Sequence, residues 1–361
     1  MQKQRYYNLD AFRGIAALLV LFFHSPFYYI DKTTFITNSD VLVDFFFILS
    51  GFVITHAYKD KIKTVNAFTF MQNRFARIYP LHIFLLVVWL VFIFLKYILF
   101  IHFNLGDTSP FINNDLYSFI LNFLLLNAHG LDDHLSWNTP SWSIGSEFYS
   151  YLLFFLVAKS VKKQHLLYWA IVLFLVAYTT IYILKPTTLL RTFDLGFIRA
   201  IGGFFLGVTV YHIRGKKTFS DNSKRVVTTI ELALLIAVYS AITLLATNKL
   251  GQLVIFFIFA ITVYYFSLSN GSVSYLLKTK VMQYLGKISY SIYLTHFLII
   301  IVATNLRQYV LPTHSSTPFD TPAAPFINIG IAILTCVISS LTYRFIEQPL
   351  QQKLGVKRVI K

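Results

Sequence analysis

Apolar and polar positions alternate in long blocks along this chain. Runs of roughly 17 to 23 mostly apolar residues are separated by short polar segments, and each run is long enough to cross a bilayer as a helix. The runs fall at 12–29, 41–57, 79–101, 142–158, 165–184, 194–213, 227–246, 251–269, 289–306 and 326–346. This pattern predicts an all-α fold, a polytopic membrane bundle of about ten transmembrane helices. A further apolar run at 116–128 is short for a crossing and predicts a re-entrant or interfacial segment.

Charge supplies the orientation that hydropathy leaves open. If 116–128 does not cross, one face of the bundle collects Lys3, Arg5, Lys59, Lys61, Lys63, Arg74, Arg77, Lys159, Lys162, Lys163 and the basic segments at 214–225, 278–287 and 353–361. The other face collects Lys32, Lys185, Arg191, Lys249 and Arg307. A crossing at 116–128 would invert everything after it and erase this asymmetry, so the positive-inside rule predicts ten spans with both termini cytoplasmic. The segment 102–140, which has Asp107, Asp115, Asp132 and Asp133 but no Lys or Arg, is then extracytoplasmic.

Composition narrows the class. With 56% hydrophobic and 13% charged residues and a mean hydropathy of +0.63, the chain is too apolar for a soluble domain. A net charge of +16 in a soluble chain would suggest nucleic acid; here the basic residues lie in short loops as topology determinants, and no nucleic-acid partner is expected. Cys336 has no second cysteine to pair with. Residues 12–29 after Lys3 and Arg5 resemble a signal peptide in outline, but Arg13 interrupts the run and no small-residue cleavage site follows, which predicts a retained helix. No internal repeat divides the chain, which reads as one membrane domain over 1–347, an outer loop at 307–325 and a basic cytoplasmic tail at 348–361.

Titratable residues inside the spans are the candidate chemistry, because a charge in a bilayer is costly and faces the bundle interior or a water-filled cavity. Arg13 and His24 are separated by ten apolar or small residues. Eleven helical steps rise about 16 Å, placing Arg13 at one membrane edge and His24 more than halfway across. Helical rise also puts His24, Asp44, Glu147 and Arg199 roughly 5 to 10 Å below the outer face, and this predicts one shared polar layer. Residues at helix ends that snorkel to water or pair for structure are the alternative.

At the cytoplasmic edge, Arg13 joins Arg74 and Arg77, which are spaced i,i+3 ahead of Tyr79 and Pro80. Arginine forks match phosphate oxygens, so this cluster suits a polyphosphate ligand; topology retention and a local Asp10–Arg13 pair are the structural alternatives. Thr139 and Pro140 read as the N-cap and first position of a helix carrying Trp142, Ser143 and Glu147. Trp142 is expected to be an interfacial anchor or a platform for a carbohydrate. Ser50 and Gly51 suit close helix packing. His296 lies mid-span, and Arg344 and Glu347 are placed to form a local i,i+3 ion pair. No H-x-x-x-H pair or cysteine cluster suggests a metal site, and Gly145-Ser146-Glu147 is not a nucleophile elbow.

Five segments taken together resemble the acyltransferase 3 family of integral membrane O-acyltransferases. They are Leu9–Leu18, which opens the Arg13–His24 spacing; Asp44–Phe52; Arg74–Pro80; Ser141–Tyr149; and Ser289–His296, in the family's order. The resemblance implies a ten-helix domain that moves an acyl group, with acetyl expected, from cytoplasmic acyl-CoA to a hydroxyl of a surface or exported glycan. It implies His24 as general base with Glu147 and Asp44 in catalytic support. Arg13, Arg74 and Arg77 would hold the acyl-CoA phosphates, and Arg199, Trp142, Ser143 and His296 would line the acceptor site. Acyl-CoA is expected as a donor substrate, with no tightly bound cofactor and no metal. The acceptor is a carbohydrate or glycolipid, and the expected location is a bacterial cytoplasmic membrane. Some relatives carry a fused extracytoplasmic SGNH domain; none is expected here, and direct transfer and hand-over to a separate extracytoplasmic transferase both stay open. A proton-coupled transporter or glycan flippase is the rival class, since intramembrane His, Asp and Glu also build proton relays.

Overall fold

A computed structural model describes residues 5–27, 33–106, 108–215, 223–310 and 322–356, without the side chains of 308–310. Ten long helices stand among them: α1 (Tyr7–His24), α3 (Leu42–Tyr58), α4 (Ala67–Phe103), α6 (Trp142–Ser160), α7 (Leu166–Leu184), α8 (Gly196–Arg214), α9 (Lys224–Leu245), α10 (Lys249–Phe266), α12 (Lys280–Val310) and α13 (Ala324–Thr342). Shorter helices are α2 (Thr34–Thr37), α5 (Leu116–Phe123), α11 (Ser272–Leu277) and α14 (Gln348–Leu354). The described residues contain no strand. Each long helix coincides with one of the ten apolar runs. Most of the expected outer loop 307–325, the end of the first run at 28–29 and the last tail residues 357–361 lie outside the described residues.

Eight of the helical stretches are long and apolar enough to cross a membrane; α1 and α6 fall short of that measure. Their polar residues account for it: α1 carries Asn8, Asp10, Arg13 and His24, and α6 carries Ser143, Ser146, Glu147 and Ser150. Both helices carry candidate chemistry into the bundle, Arg13 and His24 on α1 and Ser143 and Glu147 on α6.

Glycines set the closest helix crossings. A Cβ on Gly207 of α8 would stand 1.9 Å from the Ile48 carbonyl oxygen of α3, and one on Gly51 would stand 1.8 Å from the Phe204 carbonyl oxygen. Asp44 meets Arg199 near the start of both helices, and Gly51 meets Phe204 and Val208 further along, so α3 and α8 run parallel. Helix α1 runs parallel to α12 in the same way, with Gly14 on Gly286 and His24 on His296. Successive crossings alternate in direction. A crossing at α5 would therefore have made both pairs antiparallel, and the parallel registers agree with the charge argument that 116–128 does not cross.

That segment is instead the eight-residue α5 followed by irregular chain, with Leu125 and Trp137 at positive φ. Buried side chains satisfy it from within. Asn122 donates to Ser136 Oγ at 3.0 Å, Asn127 donates to Asn122 Oδ1 and Ser141 Oγ at 3.0 Å each, and His82 of α4 meets the Asn122 carbonyl at 2.9 Å. Non-helical backbone at membrane depth is tolerated where protein supplies the hydrogen bonds.

Three boundaries differ from the sequence reading. Helix α4 starts at Ala67, capped by Asn66 accepting from the Thr69 N–H at 2.7 Å, so Pro80 sits inside the helix and Arg74 and Arg77 lie on it. Its 37 residues extend roughly 55 Å, well beyond a 30 Å hydrocarbon core. Thr139 is not the cap of α6: Thr139–Ser141 form a 3-10 turn, and the α-helix begins at Trp142. The expected tail is helical at its start, for α14 docks on α4 through Gln72 donating to the Leu354 carbonyl at 2.9 Å. Hydropathy marks where a helix enters lipid, not where its hydrogen bonding begins.

Gly207→Val places side-chain carbon against fixed backbone and should destabilise the bundle by about 3 kcal/mol or more. Thermal unfolding in detergent checks this, with Gly330→Ala, where nothing lies within 4 Å of the added carbon, as the tolerated control.

Candidate active site

A cavity of about 260 Å³ lies between α1, α3, α4, α6 and α12. Along α3 its lining runs from Ala57 to Phe46, about 16 Å of helix. One end holds Arg13, Arg74, Arg77 and Gln351; the other holds Ser143 and Tyr293, with Ser50, Glu147 and Tyr151 between. The structure thus brings together the three arginines singled out for an anion, and adds Glu147 and Ser143 to the same space.

The arginines differ in what holds them. Arg13 reaches Asp10 at only 3.4 Å, while Asp10 takes a 2.7 Å bond from Arg5. Arg77 pairs with the buried Glu347, whose other oxygen accepts from Ser291 at 2.7 Å, and its guanidinium lies over the Tyr290 ring. Glu347 therefore serves Arg77 and not Arg344, which lies over Phe345. A wider π turn over Tyr343–Glu347 rotates the carboxylate inward and breaks the i,i+3 geometry. Arg74 lies over the rings of Tyr58 and Tyr151 at 5.7 and 5.5 Å, and its Nε is buried without a hydrogen-bond partner. A half-buried guanidinium with an unused donor beside a cavity is suited to an anionic guest.

The expected layer of four titratable residues divides into separate hydrogen-bonded groups. Asp44 and Arg199, on the parallel helices α3 and α8, form a buried fork: Arg199 Nε lies 3.1 and 3.2 Å from the two carboxylate oxygens and its terminal nitrogen lies 2.6 Å from one of them. Tyr178 donates to Asp44 at 3.3 Å, and Arg199 also donates to the Arg191 carbonyl at 3.1 Å. Trp142 lies under that guanidinium, 5.3 Å from ring centroid to Arg199, and is itself buried. Trp142 is therefore neither an interfacial anchor nor an open platform, and Asp44 and Arg199 are spent on each other. Low polarity at that depth requires a charge to be paired, and the facing helix supplies its partner.

Glu147 accepts hydrogen bonds from Ser50 and from Tyr151, the latter at 2.5 Å, and borders the cavity. His24 meets His296 instead: His24 Nδ1 lies 2.9 Å from the Val20 carbonyl and 3.2 Å from His296 Nε2, and His296 Nδ1 lies 3.2 Å from the Ile292 carbonyl. Neither histidine lines the cavity, but Tyr293 at its inner end has its ring 5.8 Å from His296 and its hydroxyl 2.8 Å from Ser143.

The sequence alone does not single out Ser50 as a polar contact, nor Tyr151 or Gln351, and it contains Tyr290 and Tyr293 only as part of the Ser289–His296 segment. Tyr290 and Tyr293 had a signal, since they share a helical face with His296 at i,i+3 spacing. Gln351 had none, because only the π turn and the docking of α14 bring it to the mouth.

Outside the spans, Asp132, Asp133 and His134 cluster on the loop, where the Asp133 carboxylate, 2.5 Å from His134, raises the histidine pKa above its ordinary value. Asp133 is exposed, Asp132 and His134 are partly so, and none of the three lines the cavity.

Among known proteins, a family model described as an acyltransferase domain matches residues 6–344. Protein 2 in the picA locus of Rhizobium radiobacter is 32% identical over 151 residues, a stretch covering 40% of this chain and 78% of that protein. Acyltransferase MdmB of Streptomyces mycarofaciens is 34% identical over 131 residues, covering 35% of this chain and 30% of that protein. No solved structure matches the chain.

If Asp44 and Arg199 serve each other, Asp44→Asn alone should cost about 3 to 5 kcal/mol by stranding a buried guanidinium. The double variant Asp44→Leu/Arg199→Met should regain most of that stability, read as recovery of the thermal transition in detergent.

Proposed function

The chain belongs to the acyltransferase 3 family, and from that premise we propose that this membrane O-acyltransferase takes an acetyl group from cytoplasmic acyl-CoA and places it on a hydroxyl of a surface or exported glycan, with His24 as general base. The observation that carries this reading is the cavity, which has three arginines at one end and at the other a tyrosine packed against the histidine pair. Acyl-CoA has the same polarity: a polyphosphate head and a long, mostly uncharged pantetheine arm ending in the thioester.

In this reading the phosphates sit at Arg74 and Arg13, with Arg77 held in place by Glu347. The pantetheine lies along the 16 Å lining of α3, where Glu147 and Ser50 meet its amide groups. The thioester arrives near Ser143 and Tyr293. His24 Nε2 takes the proton of the acceptor hydroxyl as that oxygen attacks the thioester carbonyl carbon. Collapse of the tetrahedral intermediate breaks the carbon–sulfur bond, and the imidazolium returns its proton to the departing thiolate. Glu147 thus acts on the donor and not on the His24 ring, while Asp44, Arg199 and Trp142 brace α3, α6 and α8. The positive-inside rule puts the arginine-rich end in the cytoplasm, where acyl-CoA is made, and the histidine pair toward the opposite face.

Two outcomes test this. Purified His24→Ala protein should keep its thermal transition and lose transfer of label from radiolabelled acetyl-CoA; turnover near wild type would overturn the assignment. Arg74→Ala should weaken binding of a non-hydrolysable acetyl-CoA analogue roughly tenfold to a hundredfold, the loss of one or two charge-assisted contacts, and unchanged affinity by calorimetry would remove Arg74 from the donor site.

A further inference from the structure

We infer that His296 is a positioning residue that works through His24 as the second member of a histidine dyad, an inference that rests on the reading of His24 as general base. The hydrogen-bond pattern assigns both rings. A backbone carbonyl only accepts, so the Val20 carbonyl fixes a proton on His24 Nδ1 and the Ile292 carbonyl fixes one on His296 Nδ1. His296 Nε2 is then a lone pair, and it faces His24 Nδ1–H at 3.2 Å. The His24 proton is shared between the Val20 oxygen and the His296 nitrogen, and His24 Nε2 carries the basic lone pair.

This arrangement does for His24 what a carboxylate does in a hydrolase triad, with a neutral partner. When His24 Nε2 takes a proton, the positive charge spreads to Nδ1–H, and the His296 lone pair stabilises it there. His296 is fully buried and meets this charge without solvent. A carboxylate in its place would bind the proton harder and add a charge that a site within the membrane must pair; an imidazole stabilises the transient cation without that cost.

The register that creates the dyad is built into the helix crossing. Gly14 packs on Gly286 where α1 and α12 run parallel, and His24 follows Gly14 by the same ten positions that separate His296 from Gly286. A larger residue at either glycine would slide or part the helices and separate the rings. Phe297 and Trp89 close the other side: the Phe297 ring lies 5.5 Å from His24 and 5.9 Å from Trp89.

The test uses the full chain in lipid nanodiscs with ¹⁵N-labelled histidine. Magic-angle-spinning spectra should show a nitrogen–nitrogen correlation across the hydrogen bond, between a protonated Nδ1 that disappears in His24→Ala and an unprotonated Nε2 that disappears in His296→Leu. His296→Leu should lower kcat on the order of tenfold to a hundredfold, the size seen when a supporting hydrogen-bond partner is removed, with KM for acetyl-CoA unchanged because His296 does not line the donor cavity. His296→Gln, whose carbonyl can face His24 Nδ1–H, should recover a good part of kcat. A variant that merely loosened the fold would lower the thermal transition, raise KM as well and show no rescue by glutamine. Absence of the correlation, or wild-type kcat in His296→Leu alongside an inactive His24→Ala, overturns the dyad alone. An active His24→Ala overturns the general-base reading and the catalytic meaning of the dyad with it.

Discussion

A charge inside an apolar bundle has to be paired, and this requirement arranges most of the polar residues of this molecule. Asp44 finds Arg199 across the parallel helices α3 and α8, and Arg77 finds Glu347 across α4 and the π turn. Glu147 is held by two hydroxyl groups and His24 by a second imidazole. What the pairing leaves over is informative. Arg74 keeps a buried Nε without a partner, and Arg13 has only a long contact to an aspartate that is bound more closely elsewhere. Those two guanidinium groups border one cavity.

Pairing in turn depends on how closely the helices approach. Gly51 and Gly207 bring the backbones of α3 and α8 into contact, and Gly14 and Gly286 do the same for α1 and α12. Without a hydrophobic driving force between helices in lipid, such small-residue crossings supply the dispersion contacts that hold a bundle together. They also fix register, because a slide of one residue would carry a side chain about 100° around its helix. The Asp44–Arg199 fork and the His24–His296 contact are both consequences of a glycine crossing elsewhere on the same helix pair.

The polar residues of α1 and α6 make these helices poor membrane spans by composition, yet both border the cavity. Their stability comes from the neighbours that enclose them. Packing and the cavity therefore share one helix: α6 carries Trp142 to brace Arg199, and the adjacent Ser143 and, just over a turn on, Glu147 to the cavity.

The sequence by itself determined the all-α membrane bundle, its ten long helices, the non-crossing segment at 116–128 and the residues worth examining. Hydropathy period and charge asymmetry are local or additive properties, and a linear reading captures them. It also placed Arg13, Arg74 and Arg77 together, because all three lie near one membrane edge. Depth along a helix is computable from rise alone; direction around it and choice of partner are not. For that reason the predicted layer of His24, Asp44, Glu147 and Arg199 divided into separate groups once the helices were packed. Arg344 lost Glu347 to Arg77 because a π turn added an extra residue to the turn, and Trp142 moved from the interface to the interior because Arg199 needed a neighbour. Only the tertiary structure decided which charges are spent on each other, since pairing within the membrane is settled by which helix faces which.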